Sequence, residues 1–301
     1  MSVKLAGIPL TNPVIAASGT FGYGIEFEEI VSLNKIGGIV TKGISLQPLD
    51  GNPAPRIVPT ASGMLNAIGL QNLGVDEFLR VKLPPLARYR AAVFVNVFGY
   101  TEEDYVAVIE RLNEAPGIAA YELNVSCPNT HMGGMSFGAD AGMLEHLVRR
   151  VKQISYRPLV VKLSPNVGSI AQMARIAVDA GADAISLVNT FLGIAINAET
   201  RRPVLANNTG GLSGPAIKPL ALRMVWEVSK AVKIPIIGMG GIATAEDAVE
   251  FLLAGATAIQ VGTASYADPR AVERIANGLK GWCRSHHIDK VSSLTGGLQA
   301  N

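Results

Sequence analysis

The chain has 301 residues, 49% hydrophobic and 17% charged, which supplies a substantial apolar core and excludes a disordered chain. A formal net charge of +2 provides no strong field for a nucleic-acid or anionic-membrane partner. No apolar stretch reaches the ~18 residues of a membrane span, and residues 1–10 lack the basic-then-apolar order of a signal peptide, so a cytoplasmic protein is expected.

In chain order, two short apolar runs at 3–5 and 8–10 flank Gly7 and predict a small hairpin that closes the bottom of a barrel. Eight apolar runs rich in Val and Ile follow, at 13–19, 38–43, 92–97, 120–126, 159–164, 184–190, 235–241 and 258–263. Continuous runs of this kind fit strands buried on both faces, as in parallel sheets. Amphipathic segments between them, such as 102–113, 141–154, 169–180, 218–232 and 244–254, predict helices. Thr244 with Asp247 marks a start, and Gly181 and Gly255 mark stops. Strand and helix in alternation predict a (β/α)8 TIM barrel, with an open doubly wound sheet as the competing arrangement; the barrel is expected to occupy residues 1–301 as one domain. Three long connections, 44–74, 128–140 and 191–215, all leave strand carboxyl ends. Their Ile57, Val58, Met64, Leu65, Ile68 and Leu70 predict ordered lids rather than floppy linkers.

Barrel active sites lie at the carboxyl ends of strands. The residues gathered there are Ser18, Lys42, Asn96, Asn124, Cys127, Lys162, Asn189 and Thr190. Lys42 and Lys162 each end an apolar strand, where an unpaired ammonium is costly, so both are expected to face a pocket that holds an anion or an electron-rich ring. The run around Gly238 imitates a dinucleotide fingerprint but lacks the acidic residue about 20 positions on. In a barrel, Gly240, Gly241, Gly262 and Thr263 instead predict a phosphate cradle. Cys127 opens the loop after the fourth apolar run, a position open to a base, a nucleophile or a small buried hydrophobe. Two cysteines do not provide the four thiolates of an iron–sulfur cluster, and no metal site is expected on this chain.

The ordered set of motifs resembles the class 1 dihydroorotate dehydrogenases over nearly the whole chain. It comprises residues 13–19 with Ser18, Thr41-Lys42-Gly43, residues 66–72 (Asn, Ala, Ile, Gly, Leu, Gln, Asn), residues 124–129, residues 162–165 and residues 209–219. The last of these looks most like the NAD-linked 1B branch. The resemblance implies FMN held by Ser18, Lys42, Gly43, Asn96, Asn124, Lys162, Val188, Gly214, Gly240, Gly241, Gly262 and Thr263. It implies a dihydroorotate/orotate site built from Lys42, Asn66, Ala67, Ile68, Gly69, Leu70, Asn124, Asn129, Asn189 and Thr190. Cys127 is then the base that takes the C5 proton while hydride leaves C6 for flavin N5, in the pyrimidine (UMP) pathway. The resemblance further implies a homodimer core in a heterotetramer, whose second subunit carries FAD and a [2Fe-2S] cluster and passes electrons to NAD. A fumarate-linked 1A enzyme and an RNA-acting flavin barrel of the dihydrouridine-synthase kind are the alternatives. A non-catalytic phosphate-ligand binder has no use for the thiol. Arg201 and Arg202 read equally as a solvated pair or a substrate clamp, His131 sits in the Cys127 loop without an assigned role, and His286 and His287 are expected to favour a helix dipole. Trp226 and Trp282 read as helix packing.

Overall fold

Each of the eight apolar runs becomes a strand of one closed parallel barrel in the computed structural model, which describes residues 1–126 and 137–299. The chain opens with an antiparallel hairpin, β1 (Val3–Leu5) and β2 (Ile8–Leu10), and enters the barrel through β3 (Val14–Ala16) and β4 (Gly38–Val40). A second hairpin, β5 (Ile57–Thr60) and β6 (Gly63–Asn66), and a short helix α1 (Gly74–Glu77) lead to β7 (Ala92–Val97) and α2 (Glu102–Asn113). Then come β8 (Ala120–Asn124), α3 (Ala141–Ile154), β9 (Leu159–Lys162), α4 (Ile170–Asp179) and β10 (Ala184–Leu187). Strands β11 (Phe191–Ile194), β12 (Ile196–Asn197), β13 (Arg202–Pro203) and β14 (Thr209–Ser213) fill the next connection. The chain finishes with α5 (Lys218–Ala231), β15 (Ile236–Met239), α6 (Ala245–Leu253), β16 (Ala258–Val261), α7 (Ala264–Ala267) and α8 (Ala271–Ser285).

The barrel runs β3-β4-β7-β8-β9-β10-β15-β16 and closes where Ile259 of β16 pairs with Val14 of β3. Strand order therefore follows chain order throughout. An open doubly wound sheet reverses direction at a switch point, so that arrangement is excluded. The N-terminal hairpin lies where expected: Thr11 Oγ1 and Asn12 Nδ2 donate to the carbonyls of Ile36 and Lys35, the chain just entering β4. Its inward side chains Val3, Leu5, Ile8 and Leu10 join the main core.

Local chemistry sets the helix ends. Thr101 and Thr244 each form a capping box with the aspartate three residues on, Asp104 and Asp247, and Ser169 and Asp140 cap α4 and α3. Apolar positions at helical spacing face the barrel: Ala221, Met224, Val225 and Val228 on α5, and Val272, Ile275, Ala276, Leu279 and Cys283 on α8. Full burial of each Val, Ile, Leu or Met side chain stabilises by roughly 1.5–3 kcal/mol. Cys283, 3% exposed, is therefore a core residue, and burial pushes its thiol up. No helix among the described residues is long and apolar enough to cross a membrane.

The long connections hold more structure than lids alone. Parts of residues 44–74 and 191–215 pair with each other in a four-stranded antiparallel sheet, β11-β14-β6-β5, with Leu65 opposite Leu212 and Asn66 opposite Gly211. Leu65, Ala67 and Leu205 form a small core of their own beneath it, backed by Val58 and Leu212. Of the third connection, only residues 137–140 lie among those described.

Candidate active site

At the carboxyl ends of the barrel strands lies a cavity of about 1040 Å³. Its wall contains every predicted site residue that the structure describes. Ser18 and Lys42-Gly43 follow β3 and β4, Asn96 lies within β7, and Asn124 and Lys162 end β8 and β9. Val188, Asn189 and Thr190 follow β10, and the cradle residues Gly240, Gly241, Gly262 and Thr263 follow β15 and β16, with Gly214 at the end of β14. Asn66 to Leu70 come from the end of β6, and Met64, Gly211 and Leu192 carry the small sheet over the same space as a roof. Cys127, Asn129 and His131 lie outside the described residues.

Beneath the cavity floor sits an acid that the sequence reading did not single out. Glu122, 1% exposed on β8, does not line the cavity; it faces the barrel interior. Asn96 Nδ2 donates to its Oε1 at 2.8 Å, while Ser186 Oγ at 3.0 Å and Gln260 Nε2 at 2.6 Å donate to its Oε2. Lys162 Nζ is 3.7 Å from Oε1. A buried charge needs an opposite charge and hydrogen bonds to offset desolvation, and Glu122 has both. The Lys162 expectation is thereby sharpened: its ammonium lines the cavity but already has a counter-charge inside the protein.

Lys42 is different. Among the described residues its ammonium forms no ion pair, and burial, followed by the nearby Arg56 charge, pushes it below the usual lysine range; Glu26 only partly offsets this. A free cation in a cavity wall favours an anionic ligand. Around it the amides are held by their neighbours. Asn124 Oδ1 accepts from Ser126 N at 3.3 Å and from Asn189 Nδ2 at 3.4 Å, and Asn189 Oδ1 accepts from Thr190 N at 2.8 Å. Asn66 Nδ2 donates to the Gly211 carbonyl at 3.3 Å, tying the loop that follows β6 to the roof. Buried Asn72 donates to the Leu70 carbonyl and accepts from Gly74 N, both at 2.8 Å, and so fixes the turn in which Leu70 takes φ +58°.

The cradle is made by close backbone approach. A Cβ on Gly241 would come within 2.9 Å of both Lys218 N and the Gly214 carbonyl, and one on Gly240 within 2.6 Å of Ala221 Cβ. Thr263 Oγ1 donates to Ser213 Oγ at 2.8 Å, joining the cradle to the roof. Gly262 has ordinary space for a Cβ, so glycine there is not demanded by crowding in the protein itself.

Other sequence readings resolve as follows. Arg201 and Arg202 are exposed and do not line the cavity, as a solvated pair would be. His286 stacks on Trp282 with ring centroids 3.9 Å apart and shares a hydrogen with the Trp282 carbonyl at the end of α8. Trp226 is 39% exposed, with Lys230 Nζ 5.9 Å from its ring centroid, and lines a crevice with Ile170 and Ala171 of α4. Gln260, Ser164, Asn166 and Tyr266 line the cavity without having been anticipated. Only Gln260, a lone amide in an apolar strand, carried a signal by which it could have been found.

The family profile described as dihydroorotate dehydrogenase matches residues 1–282. A Geobacter protein named dihydroorotate dehydrogenase B (NAD(+)), catalytic subunit, is 56% identical over 299 residues, covering 99% of this chain and 98% of that one. A Solibacter usitatus protein whose name assigns it, provisionally, to the fumarate-linked dihydroorotate dehydrogenase A is 55% identical over 99% of this chain and 98% of its own. The crystal structure of DHODH from Eimeria tenella, a complex with ferulenol, superposes with a TM-score of 0.83 at 22% identity, covering 98% of this chain and 88% of that one, which establishes the shared fold. With a profile match over most of its length and relatives above half identity across nearly all of it, the chain belongs to the dihydroorotate dehydrogenase family.

Proposed function

We propose that this chain, acting as one barrel domain, is the catalytic subunit of an NAD-linked dihydroorotate dehydrogenase and oxidises dihydroorotate to orotate. The observation that carries the reading is the Lys42 ammonium, unpaired among the described residues, sharing one cavity with Asn66, Asn124 and Asn189. A cation and several amides suit a small carboxylated ring with alternating N–H and C=O groups.

The family implies a flavin, and the residues present fit FMN. The close-packed Gly240 and Gly241 offer backbone to a phosphate, and buried oxygens of Asn96 and Gln260, both cavity-lining residues, have no hydrogen-bond partner among the described residues. When bound, the flavin supplies a two-electron acceptor. The chain's own residues do the rest. Lys42 holds the substrate carboxylate, Asn66, Asn124, Asn189 and Thr190 orient the ring, and Ala67 to Leu70 with the roof limit water. Cys127 takes the proton from substrate C5; a thiol with an ordinary pKa of about 8.5 is a far better base near neutrality than a hydroxyl.

The names of the NAD-linked relatives as catalytic subunits support a partner subunit, which we take to carry FAD and a [2Fe-2S] cluster against a dimeric core of this chain in the cytoplasm. The Solibacter relative keeps direct reduction of fumarate as the second reading. Anaerobic addition of dihydroorotate to the purified flavin-bearing chain should bleach its visible absorbance, with NAD reduction appearing only when the partner is added. A flavin that stays oxidised overturns the reading, and rapid turnover with fumarate alone moves the chain to the second.

A further inference from the structure

Glu122 does more than neutralise Lys162. A carboxylate only accepts hydrogen bonds, so any amide that touches it must turn its NH2 end inward. Asn96 and Gln260 both do so, at 2.8 and 2.6 Å, from strands on different sides of the barrel. Their opposite ends are then necessarily oxygens. Those oxygens, Asn96 Oδ1 and Gln260 Oε1, are two of the four side-chain atoms left buried without a partner among the described residues, and the two that belong to cavity-lining residues. Asn96 Oδ1 lies beside Gly43, another wall residue, whose added Cβ would come within 3.0 Å of it. Left unmatched, each such oxygen carries a desolvation cost, so a ligand bearing N–H groups relieves it.

We infer that Glu122 is a positioning residue that sets the hydrogen-bond polarity of the cavity floor: by consuming the donor ends of Asn96 and Gln260 it leaves two fixed acceptors in a floor that also holds Lys162. The floor then selects a ring that donates N–H to acceptors and offers an electron-rich edge to the cation. This rests on the flavin reading above and extends it to a residue that does not touch the ligand. The same arrangement discriminates against rings of similar shape whose N–H is blocked.

The decisive substitution is Glu122→Gln, which keeps shape and removes charge. Its amide NH2 would meet the NH2 of Asn96 or Gln260, so one of them must flip and present a donor to the cavity. The expected result is a rise of about tenfold or more in the FMN dissociation constant, a shifted visible spectrum, and a more positive flavin potential, because Lys162 loses its counter-charge. Glu122→Asp, which keeps the charge, should restore the potential even where binding stays weaker. Ser186→Ala removes a donor without altering either amide and should leave the potential unchanged. A merely structural role for Glu122 lowers thermal stability but moves neither spectrum nor potential. Glu122→Gln with wild-type affinity and potential overturns the inference. Should the substituted chains not fold, the unmodified apoprotein settles it: FMN methylated at N3 should bind about tenfold or more weaker than FMN, and equal binding overturns the inference. A wild-type chain that binds no flavin at all defeats the flavin reading instead, so the two failures are distinct.

Discussion

Lys218 Nζ lies 2.6 Å from Asp247 Oδ1, joining the first residue of α5 to the residue that closes the capping box of α6. The other carboxylate oxygen accepts from Ala243 N and Thr244 N at 2.9 Å each, so one side chain fixes the loop that begins with Gly240 and Gly241. Burial alone would raise the Asp247 carboxyl, but Lys218 and the two backbone donors outweigh it and hold it below the usual range. Hydrogen bonds to Asp247 and then Glu250 raise Lys218.

Asp247→Ala should lower stability by about 2 kcal/mol, combining a lost helix cap with a broken, partly buried ion pair. The sign of the pH dependence follows from the shifts. The depressed Asp247 contributes above its unfolded pKa and is lost as pH falls through the folded value; the raised Lys218 contributes below its unfolded pKa and is lost as pH rises through the folded value. The wild-type advantage should therefore be widest between about pH 4 and pH 10 and shrink outside that window. Urea denaturation of both proteins across pH checks this.

Lys42→Met should stabilise the apoprotein while weakening orotate binding by about tenfold to a hundredfold. With its folded pKa depressed, the unfolded chain binds more protons over the interval between the two values, so apoprotein stability rises with pH through it. Pairing with a carboxylate cancels that cost, so orotate affinity should fall as pH climbs through the Lys42 pKa. Calorimetric titration with orotate, alongside thermal melts, tests both halves; an unchanged affinity rejects Lys42 as the carboxylate partner.

Cys127→Ala should retain its flavin yet lose reduction by dihydroorotate by roughly a thousandfold or more, the usual cost of deleting a general base. In the wild type, the reduction rate should rise with pH until the thiol ionises, near pH 8.5 for an unperturbed group. Stopped-flow absorbance under anaerobic conditions gives both results. Near-normal reduction in the variant removes Cys127 from the chemistry.

Gly211→Ala would place a Cβ 2.0 Å from Thr190 Oγ1, with no slack on that face of the roof. We expect Thr190 to be displaced, the KM for dihydroorotate to rise by about tenfold, and overpacking to cost about 1–3 kcal/mol locally while the barrel stays folded. Steady-state kinetics with a circular dichroism melt separates the two effects. Wild-type KM would show that Thr190 does not contact the substrate.

The barrel was legible because its signal is local: each strand is a short apolar run, and each helix repeats at the spacing that faces Ala221, Met224, Val225 and Val228 inward. The roof was only half legible. Val58, Met64 and Leu65 announced order, but Thr209–Ser213 contains two glycines and one large apolar residue, a composition that does not read as a strand until Leu65 is found opposite Leu212. Glu122 was not legible at all. Its donors lie 26, 64 and 138 residues away along the chain, and nothing near residue 122 reveals that three strands will converge on one acid.

The roof has a consequence for assembly. Residue 66 bonds to a strand 145 positions later, so β6 and β14 can meet only after the intervening strands have brought both loops to the same rim. Once the barrel has closed that distance, the pairing yields a sheet of four short strands over a core of three buried side chains. The cover of the cavity thus has a core of its own, separate from the one that holds the barrel wall.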